Sequence, residues 1–200
     1  MGYVPGVTLT KWRTIWAERF PRSRLDVIAV AEVDQRRVID AGEVDLCFVR
    51  LPIDPEGLHL IPRYQEVPVV VMPKDDPLAE FSELTLADLP PGTLLESTAR
   101  AEDMDRVAQG HGVILVPQSI ARTWSRRDLT YLPVTDAGQT TIGLAWSVDN
   151  DNESIQEFIG IVRGRTVNSS RTQQARAAKA PAKEWSPAPR GPGRRRRGRS

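Results

Sequence analysis

Residues 171–200 carry ten Lys/Arg against one acid, Glu184, a net charge of +9. The whole chain holds 27 basic and 26 acidic residues, so residues 1–170 hold 17 and 25, a net of −8. Two different polymers are therefore joined end to end, and the near-neutral total hides both. The basic stretch is rich in Ala, Pro and Gly, and Trp185 is its only large apolar side chain. Such a segment cannot bury enough apolar surface to offset its ordering entropy. A disordered basic tail is expected over 167–200, leaving one folded body of about 165 residues, long enough for a substantial core.

Several chemistries find no footing in this sequence. Cys47 is the only cysteine, so no intrachain disulfide can form, and its neighbours Leu46 and Phe48 suggest a buried strand thiol. The two histidines, His59 and His111, make no metal set and no triad. Ser97 and Ser119 lack a nucleophile-elbow context. Gly110-His111-Gly112 precedes a strand instead of following one, so it is not a phosphate loop, and a turn histidine is expected there. Asp75 and Asp76 read as solvated turn charges. No enzyme activity, metal or cofactor is expected. The segment Met1–Gly6 has no basic start and no long apolar core, and no apolar run reaches 18 residues. These features imply no membrane association and a cytoplasmic location.

Within the body, strand and helix patterns alternate. Leu9, Trp12, Ile15, Trp16 and Phe20 share one helical stripe, with Thr8 expected as N-cap and Pro21 as terminator. A strand over 25–30 follows, then a helix capped by Asp34. The near-continuous apolar run of residues 45–51 reads as a strand buried on both faces. Further strands are expected over 58–66, 67–72, 112–117, 129–133 and 140–146. Helices are expected over 85–89, 103–109, 118–124 and 154–163. The order is α/β.

The order of these phrases resembles a known family. Val4-Pro5-Gly6-Val7-Thr8 opens a helix. Ile39-Asp40-Ala41-Gly42-Glu43-Val44-Asp45-Leu46, Gly57-Leu58-His59, Glu66 through Leu78, Leu84 through Leu89, and Gly110 through Pro117 follow in turn. Together they resemble the effector-binding (substrate-binding) domain of LysR-type transcriptional regulators, over about residues 2–165. The resemblance implies a two-subdomain, periplasmic-binding-protein-like fold of type II. Subdomain one would take about 1–68 and 140–166, and subdomain two about 74–138, with crossovers near Val67–Pro73 and Thr140–Trp146. It implies a small-molecule effector in the cleft between subdomains, contacted by residues matching Gly6, Val7, Thr8 and Thr10 at the first helix, Arg50 at a strand end, and Pro117. A helix N-terminus there favours an anionic metabolite. For Thr8 and Thr10 a capping role stands beside the ligand role. For Arg50 an ordinary salt bridge stands beside a ligand carboxylate.

The sequence departs from the family pattern in two places. The family's winged helix-turn-helix is expected to be absent, because Gly2-Tyr3-Val4 already reads as the effector domain's first strand. Only Glu96–Arg100 separates Leu95 from the helix expected at Asp103, where the family has a further strand–helix unit, so subdomain two is expected to be trimmed.

The tail adds a second expectation. Arg190, Arg194, Arg195, Arg196, Arg197 and Arg199 form a polycation that can neutralise phosphates, with nonspecific, salt-sensitive affinity for DNA. A solvated tail that aids solubility, or one that binds the acidic body, stays open beside it. The expected function is a small-molecule effector-binding protein of transcription regulation with DNA affinity from its tail. The alternative is a ligand-binding or interaction module without DNA function. Homodimers, or heterodimers with a full-length LysR-type regulator, are the protein partners the resemblance implies.

Overall fold

The apolar run around Cys47 forms the central strand of the larger sheet. The structure is a computed structural model and describes residues 1–98 and 100–164. The tail, with Arg190 to Arg199, lies outside the described residues. Residues 1–164 make one compact unit. In chain order its elements are β1 (Gly2–Tyr3), α1 (Thr10–Arg19), β2 (Ile28–Ala29), α2 (Gln35–Asp40), β3 (Cys47–Leu51), β4 (Leu58–Glu66) and β5 (Pro68–Pro73). Then come β6 (Leu94–Leu95), α3 (Ala101–Ala108), β7 (Val113–Pro117), α4 (Gln118–Thr123), β8 (Leu129–Pro133), β9 (Thr140–Ser147) and α5 (Glu153–Val162).

Two sheets form. The first runs β2-β1-β3-β9-β4, with β1 parallel to β2 and β3, and β9 antiparallel to β3 and β4. The second runs β6-β7-β5-β8, with β5 antiparallel to both neighbours and β6 parallel to β7. This mixed α/β arrangement is the expected fold class. The chain passes from the first sheet to the second at Val67, between β4 and β5, and returns over residues 134–139. The strands expected as crossovers are therefore full sheet members: Pro68 is in register with Pro117, and Thr140 with Glu66.

Strand pleating explains how one run of residues builds two cores. Successive side chains of β3 point to opposite faces. Phe48 joins Trp16, Leu144 and Phe158 on one side, while Cys47 and Val49 join Val38, Ile39 and Ala145 on the other. The stripe expected on α1 packs here, with Trp12 stacked on Phe48 at 4.8 Å between ring centroids. In β5, Val69 and Val71 pack under α3 and α4 against Met104, Val107 and Ile120, while Val70 and Met72 face Leu84, Leu89 and Val134.

Three local expectations are corrected, and one strand is added. Helix α1 begins at Thr10, not Thr8; Leu9 occupies the cap position and no side chain caps it. Leu9 is buried in the first core, and that anchoring fixes the helix start one residue later than the Thr8 cap would. Asp34 makes no cap bond either; it ends a 3₁₀ turn over Glu32–Asp34 and its carboxylate pairs with Arg37 at 3.2 Å. The strand expected over 25–30 shrinks to Ile28–Ala29, because β1, its one partner among the described residues, is two residues long. Finally, β6 was not foreseen. It pairs with β7 beside Gly112, whose φ is +149° and where a Cβ would collide with the Thr93 carbonyl oxygen, so no side chain fits.

Candidate effector site

Pleating also aims Arg50. It lies two residues beyond Phe48 on β3 and so points to the same face, toward the loop that enters α1. Its guanidinium is 2% exposed and is held from several directions. Nε donates to Glu66 Oε2 at 2.7 Å, Nη1 to Glu32 Oε2 at 2.7 Å, and Nη2 to the Pro5 carbonyl at 2.9 Å and to Glu66 Oε1 at 3.3 Å. Its backbone is fastened as well: Gln35 at the start of α2 donates to the Arg50 carbonyl and accepts from its N–H, both at 2.9 Å. Burial lowers the Arg50 pKa, but the bonds and charges of Glu66 and Glu32 outweigh it and hold the group above its ordinary value.

Glu66 is the point where the two sheets meet. It ends β4, one residue before the chain crosses to the second sheet. Besides Arg50 it accepts from Thr140 Oγ1 at 3.1 Å, at the start of β9, and from the hydroxyl of Ser119 on α4, in a short contact. The N–H of Gln118 donates to the Val67 carbonyl at 2.9 Å, tying α4 to the same crossing. Gly6 has a φ of +91°, and a Cβ there would stand 2.8 Å from the Ser119 Cβ and 3.3 Å from Arg50 Nη2. Only glycine lets this loop come so close to α4. Burial raises the pKa of the Tyr64 phenol; the Glu66 charge adds to the rise and Arg50 opposes it.

Of the six residues expected at the site, the structure brings Gly6 and Arg50 together. Pro117 ends β7 immediately before α4. Val7 is buried in the first core. Thr8 and Thr10 are exposed, and among the described residues no hydrogen bond ties either side chain to Arg50. Thr10 instead lines a hollow of about 700 Å³ along α1, with Arg13, Phe20, Arg22 and Leu25. Sequence reasoning missed Glu32, Gln35, Glu66 and Thr140, and set Ser119 aside. The salt-bridge alternative for Arg50 is the arrangement present, with partners 16 and 18 residues away in sequence.

Other groups are chemically quiet. Burial pushes the Cys47 thiol up to about 12, so it stays protonated and unreactive. Among the described residues no group of three or more His, Cys, Asp or Glu side chains could hold a metal ion. No helix among them is long and apolar enough to cross a membrane.

The family model for the LysR substrate binding domain matches residues 4–106. The Hca operon transcriptional activator HcaR of Escherichia coli (strain K12) is 22% identical over 198 residues, spanning 82% of this chain and 67% of that protein. Among solved structures, the effector binding domain of a BenM variant superposes with a TM-score of 0.70 at 19% identity, covering 82% of this chain and 92% of its own. The BenM effector binding domain with its effector benzoate gives 0.65 at 18% identity, covering 94% of this chain and 96% of its own. At these identities the superpositions establish the fold, two sheets joined by two crossings as described above. The family model covers more than half of the sequence, and the chain belongs to the LysR substrate-binding domain family.

Proposed function

We propose that this protein is an effector-binding component of transcription regulation, taking a small metabolite between its two sheets. The first sheet and its helices act as subdomain one and the second as subdomain two. The observation that carries this reading is the junction at Glu66, where side chains from β3, β9 and α4 converge beside the tightly packed Gly6 loop. A ligand entering there meets the start of α1, whose first N–H groups have no side-chain cap. Those orphan donors and the helix dipole favour the acid end of a metabolite. Gly6, the backbone N–H groups of Val7 and Thr10, and the exposed Thr8 side chain supply that edge, Arg50 the floor, and Pro117 the opposite wall. The benzoate carried by the BenM domain is an acid of this kind.

A thermal-shift screen of small carboxylates, starting from benzoate, tests the reading. A binder at a hundred times its dissociation constant should stabilise the protein by about 2.7 kcal/mol. Thr8→Ala should shrink that shift while leaving the unliganded protein within about 0.5 kcal/mol, because Thr8 is exposed and caps nothing. A screen in which no carboxylate-bearing compound, amino acids included, moves the melting curve contradicts it.

The +9 tail gives this protein nonspecific DNA affinity through Arg190 and Arg194–Arg197 with Arg199, in keeping with work beside DNA in the cytoplasm. Full-length protein should retard duplex DNA at low salt, and a 1–164 truncation should not. Equal retardation by both, or none by either, removes the DNA role.

A further inference from the structure

The charges at the sheet junction do not balance. Arg50 faces two carboxylates, Glu32 and Glu66, for a net of −1. The two acids differ sharply. Glu66 is 3% exposed, and both of its oxygens are taken: Oε2 by Arg50 Nε and Thr140 Oγ1, Oε1 by Arg50 Nη2 and Ser119. The Glu32 side chain is 38% exposed and touches Arg50 through Oε2 alone. Its backbone is fixed at the start of the 3₁₀ turn before α2. No donor to Oε1 of Glu32 is found among the described residues. Arg50, for its part, has committed four of its five N–H groups.

An anion arriving at this place finds the guanidinium already bound and a surplus carboxylate beside it. A cation finds the reverse: an open, half-exposed carboxylate oxygen held in position by a buried arginine. A charge-assisted bond to that oxygen brings the constellation to neutrality, and partial exclusion of water strengthens it. We propose that Glu32 is the specificity-determining residue of the cleft, selecting an effector that carries an ammonium group and rejecting the plain acid of the same carbon skeleton. The inference rests on the cleft reading above: the effector's acid end is received at the start of α1 and its ammonium end at Glu32, so the ligand class is a small amino acid or a related zwitterion.

The test is calorimetric titration of the full-length protein with the standard L-amino acids as probes, each beside the acid that lacks the amine. The tightest probe should bear the amine. Glu32→Gln should weaken it about tenfold or more, the loss of one charge-assisted bond, while leaving or improving the dissociation constant of its deaminated counterpart. Glu32→Asp keeps the charge but withdraws it by one methylene, and should fall between the two; it also serves if the glutamine variant folds poorly. If deaminated acids bind as tightly as the amino acids, or if Glu32→Gln leaves the amine probe unchanged, the inference is overturned and the cleft stands as a simple anion site. If neither class of probe binds, the cleft reading falls and this inference with it.

Discussion

Glu66→Ala should lower the unfolding free energy by about 3 kcal/mol, the low end for breaking a buried ion pair, because Arg50 keeps Glu32 as a partner. Arg50, 2% exposed in the parent protein, would be left with its Nε and one Nη2 donor unanswered. Ser119 and Thr140 would lose their acceptor at the same time, so the bonds from α4 and from β9 go together. Urea unfolding followed by far-UV circular dichroism measures the change. A second variant separates charge from packing. Replacing Arg50 and Glu66 together with Met and Leu removes both buried charges and leaves only the half-exposed Glu32 for water to solvate, and much of the stability should return, because buried ion pairs often contribute little net stability over well-packed apolar groups. That double variant should nevertheless lose whatever ligand response the parent has. A loss below about 1 kcal/mol for Glu66→Ala would mean that Arg50 relaxes to solvent and that the junction is not the rigid point described here.

Phe48→Ala should cost about 3–5 kcal/mol through lost apolar burial and the cavity left behind. Phe48 is completely buried and sits where β3, α1 and α5 meet, stacked on Trp12 at 4.8 Å and edge-on to Phe158 at 6.2 Å. Trp12 is only partly buried, so it can follow the void by turning on its helix, and part of the cost can relax in that way. The corresponding signature is a change in tryptophan emission along with the shift in urea midpoint. Helix α1 also sets the Gly6 loop, so a ligand response should weaken with it. Unchanged stability would place the α1–β3 contact outside the core.

Much of the fold was legible because it is written locally. The continuous apolar runs of β3, β5 and β7 are strands buried on both faces, and their side-chain period separates the two cores of each sheet without reference to any distant residue. The stripe Trp12, Ile15, Trp16 and Phe20 carried α1 in the same way. What was misread depended on tertiary context. The start of α1 follows the burial of Leu9 rather than the hydroxyl of Thr8. Strand β6 exists because Gly112 lets β7 approach residues 93–95, a relation between segments that neither segment announces.

The candidate site was half legible for the same reason. Arg50, near the end of an apolar strand, stood out through the family resemblance, with an ordinary salt bridge beside its ligand role. Its partners did not. Glu32, Glu66 and Ser119 are ordinary polar residues in sequence, and become a constellation only when the fold brings the end of β4, across β9, within reach of Arg50 on β3 and sets α4 at the crossing. The positions expected to bind ligand at Thr8 and Thr10 came from the family resemblance, and the structure leaves both exposed beside the junction's hydrogen-bond network instead of within it.

Amide hydrogen exchange with and without a bound small molecule addresses the central claim most directly. The acid or amino acid giving the largest thermal shift would be used at saturation. A ligand held between the sheets should slow exchange in two segments far apart in sequence, residues 6–10 at the entry to α1 and residues 118–120 at the start of α4, with Val67 at the crossing. Protection confined to residues 13–25, along the hollow lined by Arg13, Phe20 and Arg22, would place the ligand on the flank of α1 and contradict the account.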